Sequence, residues 1–105
     1  MANKVLNKTQ LLNILFNNGK QIRSFGIDRI GVFGSFVRDT DIHKKSDVDF
    51  VIDFKKGKKT PDNLFDLGFF LEDILGRKVE LITRESLRPP YGPKILKTVE
   101  DVRIG

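Results

Sequence analysis

Apolar residues recur along this chain in two rhythms, helical and alternating, and each rhythm predicts its own elements. Between Thr9 and about Asn18, Leu11, Leu12, Leu15 and Phe16 fall at i, i+1, i+4 and i+5, one face of a short helix. Gly19 reads as its stop. Gln21 to Phe25 predicts a further helical turn ended by Gly26. Arg29-Ile30-Gly31-Val32-Phe33 is short, apolar and rich in strand formers, and it runs into a tight turn at Gly34-Ser35. Phe36 to Lys45 is polar and predicts an irregular loop. From Asp47 to Phe54 the alternation is strict: Val48, Phe50, Ile52 and Phe54 on one side, Asp47, Asp49, Val51 and Asp53 on the other. That is a strand with one buried and one wet face.

After a lysine-rich turn at Lys55 to Lys59, the best-signalled helix begins. Thr60 can cap it, Pro61 suits its first position, and Asp62 faces the positive end of the helix dipole. Leu64, Leu67, Leu71, Ile74 and Leu75 form its apolar stripe, and Gly76 ends it. Lys78 to Thr83 predicts a third strand, with Val79 and Leu81 opposite Glu80 and Ile82. Pro89-Pro90 interrupts the chain, and Lys94 to about Val99 predicts a last short helix. The order α, β, β, α, β, α predicts an α+β fold. In it, a small mixed sheet carries helices on one face and leaves the carboxylate-bearing face open.

Composition narrows this picture. The 105 residues suit a single domain spanning 1–105, and 39% hydrophobic with 31% charged residues is a globular balance. With no cysteine, disulfides, Cys-ligated zinc and thiol catalysis are excluded. No apolar run approaches the ~20 residues of a membrane span, and the Asn- and Lys-dotted start is a poor signal peptide, so a cytoplasmic protein is expected. The net charge of +5 suits anionic partners, but it is also ordinary for a small soluble surface.

The candidate chemistry lies at the strand ends. Asp47 and Asp49 leave the same strand face about 6.6 Å apart along the backbone, within reach of one hard cation or a pair. A pair of cations could clamp the attacking and leaving oxygens of a phosphoryl transfer. The plainer reading of the same pattern is a solvated strand face, which is how Asp53 is read. Gly34 lets backbone approach an anion, and the amides and hydroxyl at Ser35 could donate to phosphate. Glu80, on the wet face of the third strand, could hold a metal or accept a proton from an attacking hydroxyl. His43, Lys44 and Lys45 read as a solvated loop. Phe65, Phe69 and Phe70 read as core or partner-facing side chains.

The stretch Gly34-Ser35-Phe36-Val37-Arg38, followed by Ser46-Asp47-Val48-Asp49-Phe50-Val51-Ile52, resembles the signature of the DNA polymerase beta nucleotidyltransferase superfamily. The run Leu75-Gly76-Arg77-Lys78-Val79-Glu80-Leu81-Ile82-Thr83 resembles its MNT-type minimal branch, as does Ser86-Leu87-Arg88-Pro89-Pro90 before Lys94-Ile95-Leu96. The resemblance implies that Gly34, Ser35 and Arg38 bind the triphosphate of ATP or another nucleotide. It also implies that Asp47, Asp49 and Glu80 are the catalytic carboxylates that bind Mg²⁺. Two positions depart from the pattern: Asp39 stands where a glycine usually follows the arginine, and Glu80 where an aspartate is commoner.

Such a short chain leaves no second domain to hold an acceptor. The branch implies that the acceptor is a second protein chain, a HEPN-type toxin, with this chain as an adenylylating antitoxin. The alternative is an inactive binding module that neutralises such a partner by contact. Nucleic acid is the least supported ligand, because no aromatic platform accompanies the lysines of the 55–59 turn.

Overall fold

The computed structural model describes residues 4–39, 42–43 and 45–104. Lys44, read above as part of a solvated loop, lies outside them. Among the described residues the order is α1 (Lys8–Asn17), α2 (Gly19–Ser24), β1 (Ile27–Phe33), α3 (Ser35–Arg38), β2 (Val48–Phe54), α4 (Pro61–Leu75), β3 (Val79–Thr83), a 3-10 turn (Arg84–Ser86), α5 (Gly92–Thr98) and β4 (Glu100–Asp101). The strands form one mixed sheet in the order β3-β2-β1-β4. β1 runs antiparallel to β2 and β4, while β2 and β3 are parallel.

The alternation of β2 sets the two faces. Val48, Phe50 and Ile52 are fully buried and join Ile30 and Val32 of β1 in the core. Leu11 and Leu15 of α1, Ile22 of α2, Phe36 of α3, and Leu67, Leu71 and Leu75 of α4 close over them. Burying a side chain of this size is worth about 1.5–3 kcal/mol, so this face holds the fold together. α4 is capped as its sequence predicts: the Thr60 hydroxyl accepts from the Asn63 amide at 3.1 Å, and Gly76 ends the helix in the left-handed region at φ 66°.

Several expectations change. Gly19 is not a stop; it opens α2, and the space of its missing side chain is filled by the Ile104 carbonyl. Phe16 turns outward, 52% exposed, so α1 buries only Leu11 and Leu15 of its predicted face. The loop expected after Ser35 begins as the one-turn helix α3, because Phe36 plunges into the core. The second sheet face is only partly open. Val51, registered opposite Gly31, is fully buried there, and the Val99 side chain lies against Gly31. Asp53 is not a free surface acid either: Arg84 donates to it at 2.9 Å and also meets Asp101 at 3.3 Å, while Arg29 joins Asp101 at 2.9 Å.

Candidate active site

The open part of the second face lies where β1 ends and β2 and β3 begin. Strand register gathers the predicted acids there. Phe33 pairs with Asp49, and Asp49 with Glu80, so Asp49 sits in the middle with Glu80 on the neighbouring parallel strand. Asp47 precedes β2 and is exposed, as is Glu80, whereas Asp49 is half-buried. Burial raises the Asp49 carboxyl from 3.8 to about 6, and the neighbouring charge of Glu80, a hydrogen bond with it, and the charge of Asp47 push the same way. A carboxyl raised by burial, with other carboxylates adding to the shift, is a recognised mark of a functional site.

Gly34 brings the other half of the site against this cluster. Its φ of 79° and ψ of −151° lie outside the range of side-chain-bearing residues. A Cβ on Gly34 would also stand 2.5 Å from Asp49 Oδ2. The glycine is therefore required twice, by backbone conformation and by the approach of Asp49. Ser35 follows as the first residue of α3. Arg38 ends that turn, exposed, and Asp39 takes the left-handed conformation at φ 55°. This accounts for the departure from glycine at position 39. Aspartate tolerates that region, and here its Oδ1 accepts from the Lys8 amide at 3.0 Å.

One residue that sequence reading left without a role ties these parts together. Arg77 is buried, 6% exposed, just before β3. Its Nε donates to the Val5 carbonyl at 2.6 Å, and its Nη1 to the carbonyls of His43 at 2.8 Å and Ser46 at 2.9 Å. Its guanidinium lies 5.2 Å from the centre of the Phe36 ring. Arg77 thus fixes the segment that presents Asp47 and packs on the helix that follows Ser35. The one signal available in the sequence was an arginine directly after a helix-ending glycine, which ordinarily reads as a surface residue. A cavity of about 460 Å³ opens beside Asp47, and Lys4, Lys45 and Lys78 line it together with Arg77.

The donors are all carboxylate oxygens, the ligand type of a hard cation. Among the described residues no three such side chains close around one point. A cation here would therefore take part of its shell from substrate, as Mg²⁺ commonly does. With that limit the residues fit it: Asp49 and Glu80 are adjacent on neighbouring strands, and their mutual repulsion is what a cation would relieve.

The glycine turn at Gly34 is thus set against a strand carboxylate, Asp49, that is flanked by two more acids. The chain belongs to the nucleotidyltransferase domain family, whose model matches residues 15–104. It is 35% identical over 98 residues to the protein adenylyltransferase MntA of Thermococcus cleftensis, covering 90% of this chain and 95% of that one. A Methanocaldococcus jannaschii protein assigned as a protein adenylyltransferase is 35% identical over 77 residues, 73% of this chain and 81% of its own. Among solved structures, one assigned to a minimal nucleotidyltransferase superposes with a TM-score of 0.67 at 27% identity, covering 85% of this chain and 93% of that one. A toxin–antitoxin crystal structure with AMP-PNP shares the fold, with a TM-score of 0.65 at 19% identity, over 95% of this chain and 75% of that one.

Proposed function

We propose that this nucleotidyltransferase moves AMP from ATP to a side-chain hydroxyl of a second protein, a HEPN-type toxin that it thereby silences, and that it does so with Mg²⁺ in the cytoplasm. The observation that carries the reading is the placement of Gly34 against Asp49, with Glu80 one strand away. Relatives named protein adenylyltransferase, and the fold shared with a toxin–antitoxin structure holding AMP-PNP, support the choice of nucleotide and of a protein acceptor.

In this reading the amides and hydroxyl after Gly34 hold the phosphates, with Arg38 and the lysines beside Asp47 offsetting their charge. Asp47, Asp49 and Glu80 would hold the cation, which when bound would neutralise charge building on the phosphate oxygens. The acceptor oxygen forms a bond to the α-phosphorus, the bond to the β-phosphate oxygen breaks, and pyrophosphate leaves. The hydroxyl proton passes to the Glu80 carboxylate, the more exposed of the two acids on adjoining strands.

The test is co-expression with the product of the neighbouring gene, followed by intact-mass measurement of that partner. The expected result is a gain of one AMP that vanishes when Asp47→Asn and Asp49→Asn are combined, with the complex still forming. A partner that is inhibited but unmodified would instead make this chain a binding module, and no complex at all would sink both readings.

A further inference from the structure

The surface of α4 that faces away from the core is unusual for a small protein. Phe65 and Phe69 are 61% and 69% exposed, and they border a hollow of about 270 Å³. Leu64 and Gly68 line it from the helix, and Val79 and Leu81 line it from β3. β3 is an edge strand, so among the described residues no other strand covers its outer side.

Gly68 is the telling residue. It lies mid-helix, where glycine is less favourable than alanine by roughly 0.5–1 kcal/mol. Internal packing does not require it, because a Cβ there would meet only Leu81 Cδ1, at an ordinary 3.6 Å. The missing side chain does deepen the hollow between the two phenylalanines and the strand. Beside them, Asp62, Asp66 and Asp73 share one helical stripe, Glu72 lies at the hollow's rim, and α4 carries no basic residue. In a chain of net charge +5, this is a locally acidic face around an apolar notch. Val79 and Leu81 turn toward α4, and Glu80 between them turns to the other face of β3, so a segment seated in the hollow reaches the third carboxylate only by passing round this edge strand.

We propose that this hollow docks the protein acceptor through a basic segment that places an aliphatic or aromatic anchor over Gly68. The inference rests on the reading that the acceptor is a protein. Apolar anchors entering a preformed notch supply most of the affinity of such contacts, and the acidic stripe selects the sign of the flanking charge.

The probe is a synthetic amphipathic helix with leucines at i, i+4 and i+7 and lysines elsewhere, titrated into the ¹⁵N-labelled full chain. Amide shifts are expected at Leu64 to Glu72 and Val79 to Leu81, and binding about tenfold weaker for the same peptide with glutamates in place of lysines. Phe65→Ser with Phe69→Ser should also weaken binding about tenfold while leaving the melting temperature nearly unchanged, since both rings are exposed. Gly68→Ala should raise the melting temperature and lower peptide affinity together, opposite movements that a purely structural glycine would not give. Equal binding of the glutamate peptide, shifts elsewhere or nowhere, or a Gly68→Ala chain that melts higher and binds as before would each overturn the proposal. So would sedimentation as a dimer that the Phe65/Phe69 double variant dissolves, because the occupant would then be a second copy. Mg²⁺-dependent ATP binding measured alongside separates the two readings: its loss with peptide binding intact removes the transferase assignment and leaves the docking surface standing.

Discussion

At the scale of single residues, Asp49 bears the cost of a carboxylate that is half-buried beside two other acids. Its folded-state pKa of about 6 lies above the ordinary 3.8, so the folded chain binds that proton more tightly than the unfolded one. Its charge therefore penalises folding in full above about pH 6, and the penalty fades as the pH falls from about 6 to 3.8. Asp49→Asn should stabilise the metal-free protein at pH 7 by about 1 kcal/mol, a value already reduced for the solvent that reaches a half-buried group. Urea unfolding in EDTA at pH 7 and at pH 4.5 checks it: the advantage of the asparagine should shrink at the lower pH. An Asp49→Asn chain that is less stable at both would mean the carboxylate serves the fold. Gly34 was legible as a turn glycine from its place after an apolar strand, but its contact with Asp49 was not. That contact depends on strand register between segments far apart in sequence.

At the scale of elements, local signals were read well where one element carried its own rule. The cap, first-position proline and stripe of α4 gave that helix nearly to the residue, and the alternation of β2 placed its faces. What stayed hidden was set by partners distant in the chain. The burial of Val51 on the supposed wet face needs Gly31 opposite it and Val99 above, and the ion pair of Asp53 needs Arg84. β4 is two residues long and carries no periodicity to read. Arg77 belongs with these, since the carbonyls it meets among the described residues, those of Val5, His43 and Ser46, come from two separate segments. Arg77→Lys keeps the charge but loses the fork that reaches all of them. The lysine chain should lose about 2 kcal/mol in denaturant unfolding. Measured well below its melting point, it should also show a lower kcat for nucleotidyl transfer at a similar KM for ATP, because Asp47 is displaced while the Gly34 turn keeps its geometry. Full kcat in a destabilised Arg77→Lys chain would mean that the clamp serves stability alone.

At the scale of the whole molecule, the first and last described segments are both structural. Val5 is 1% exposed, with its amide bonded to the Leu75 carbonyl at 2.8 Å, and Ile104 is 3% exposed. The Ile104 carbonyl oxygen stands 1.8 Å from where a Cβ of Gly19 would be, so Gly19→Ala must push the C-terminal segment off α2. A loss of about 1–3 kcal/mol is expected, read as a lower urea midpoint at unchanged slope. An unchanged midpoint would show that the segment yields freely. The two populations of acid on the second sheet face bear on the molecule as seen from outside. Asp53 and Asp101 are answered by arginines, whereas among the described residues Asp47, Asp49 and Glu80 take part in no ion pair. A cation drifting over this face crosses acids already answered by arginines and meets the three acids outside those pairs at the rim beside Asp47, where lysines stand close by to receive an anion. Position along β2, over the four residues from Asp49 to Asp53, is enough to turn the same side chain from a beacon into background.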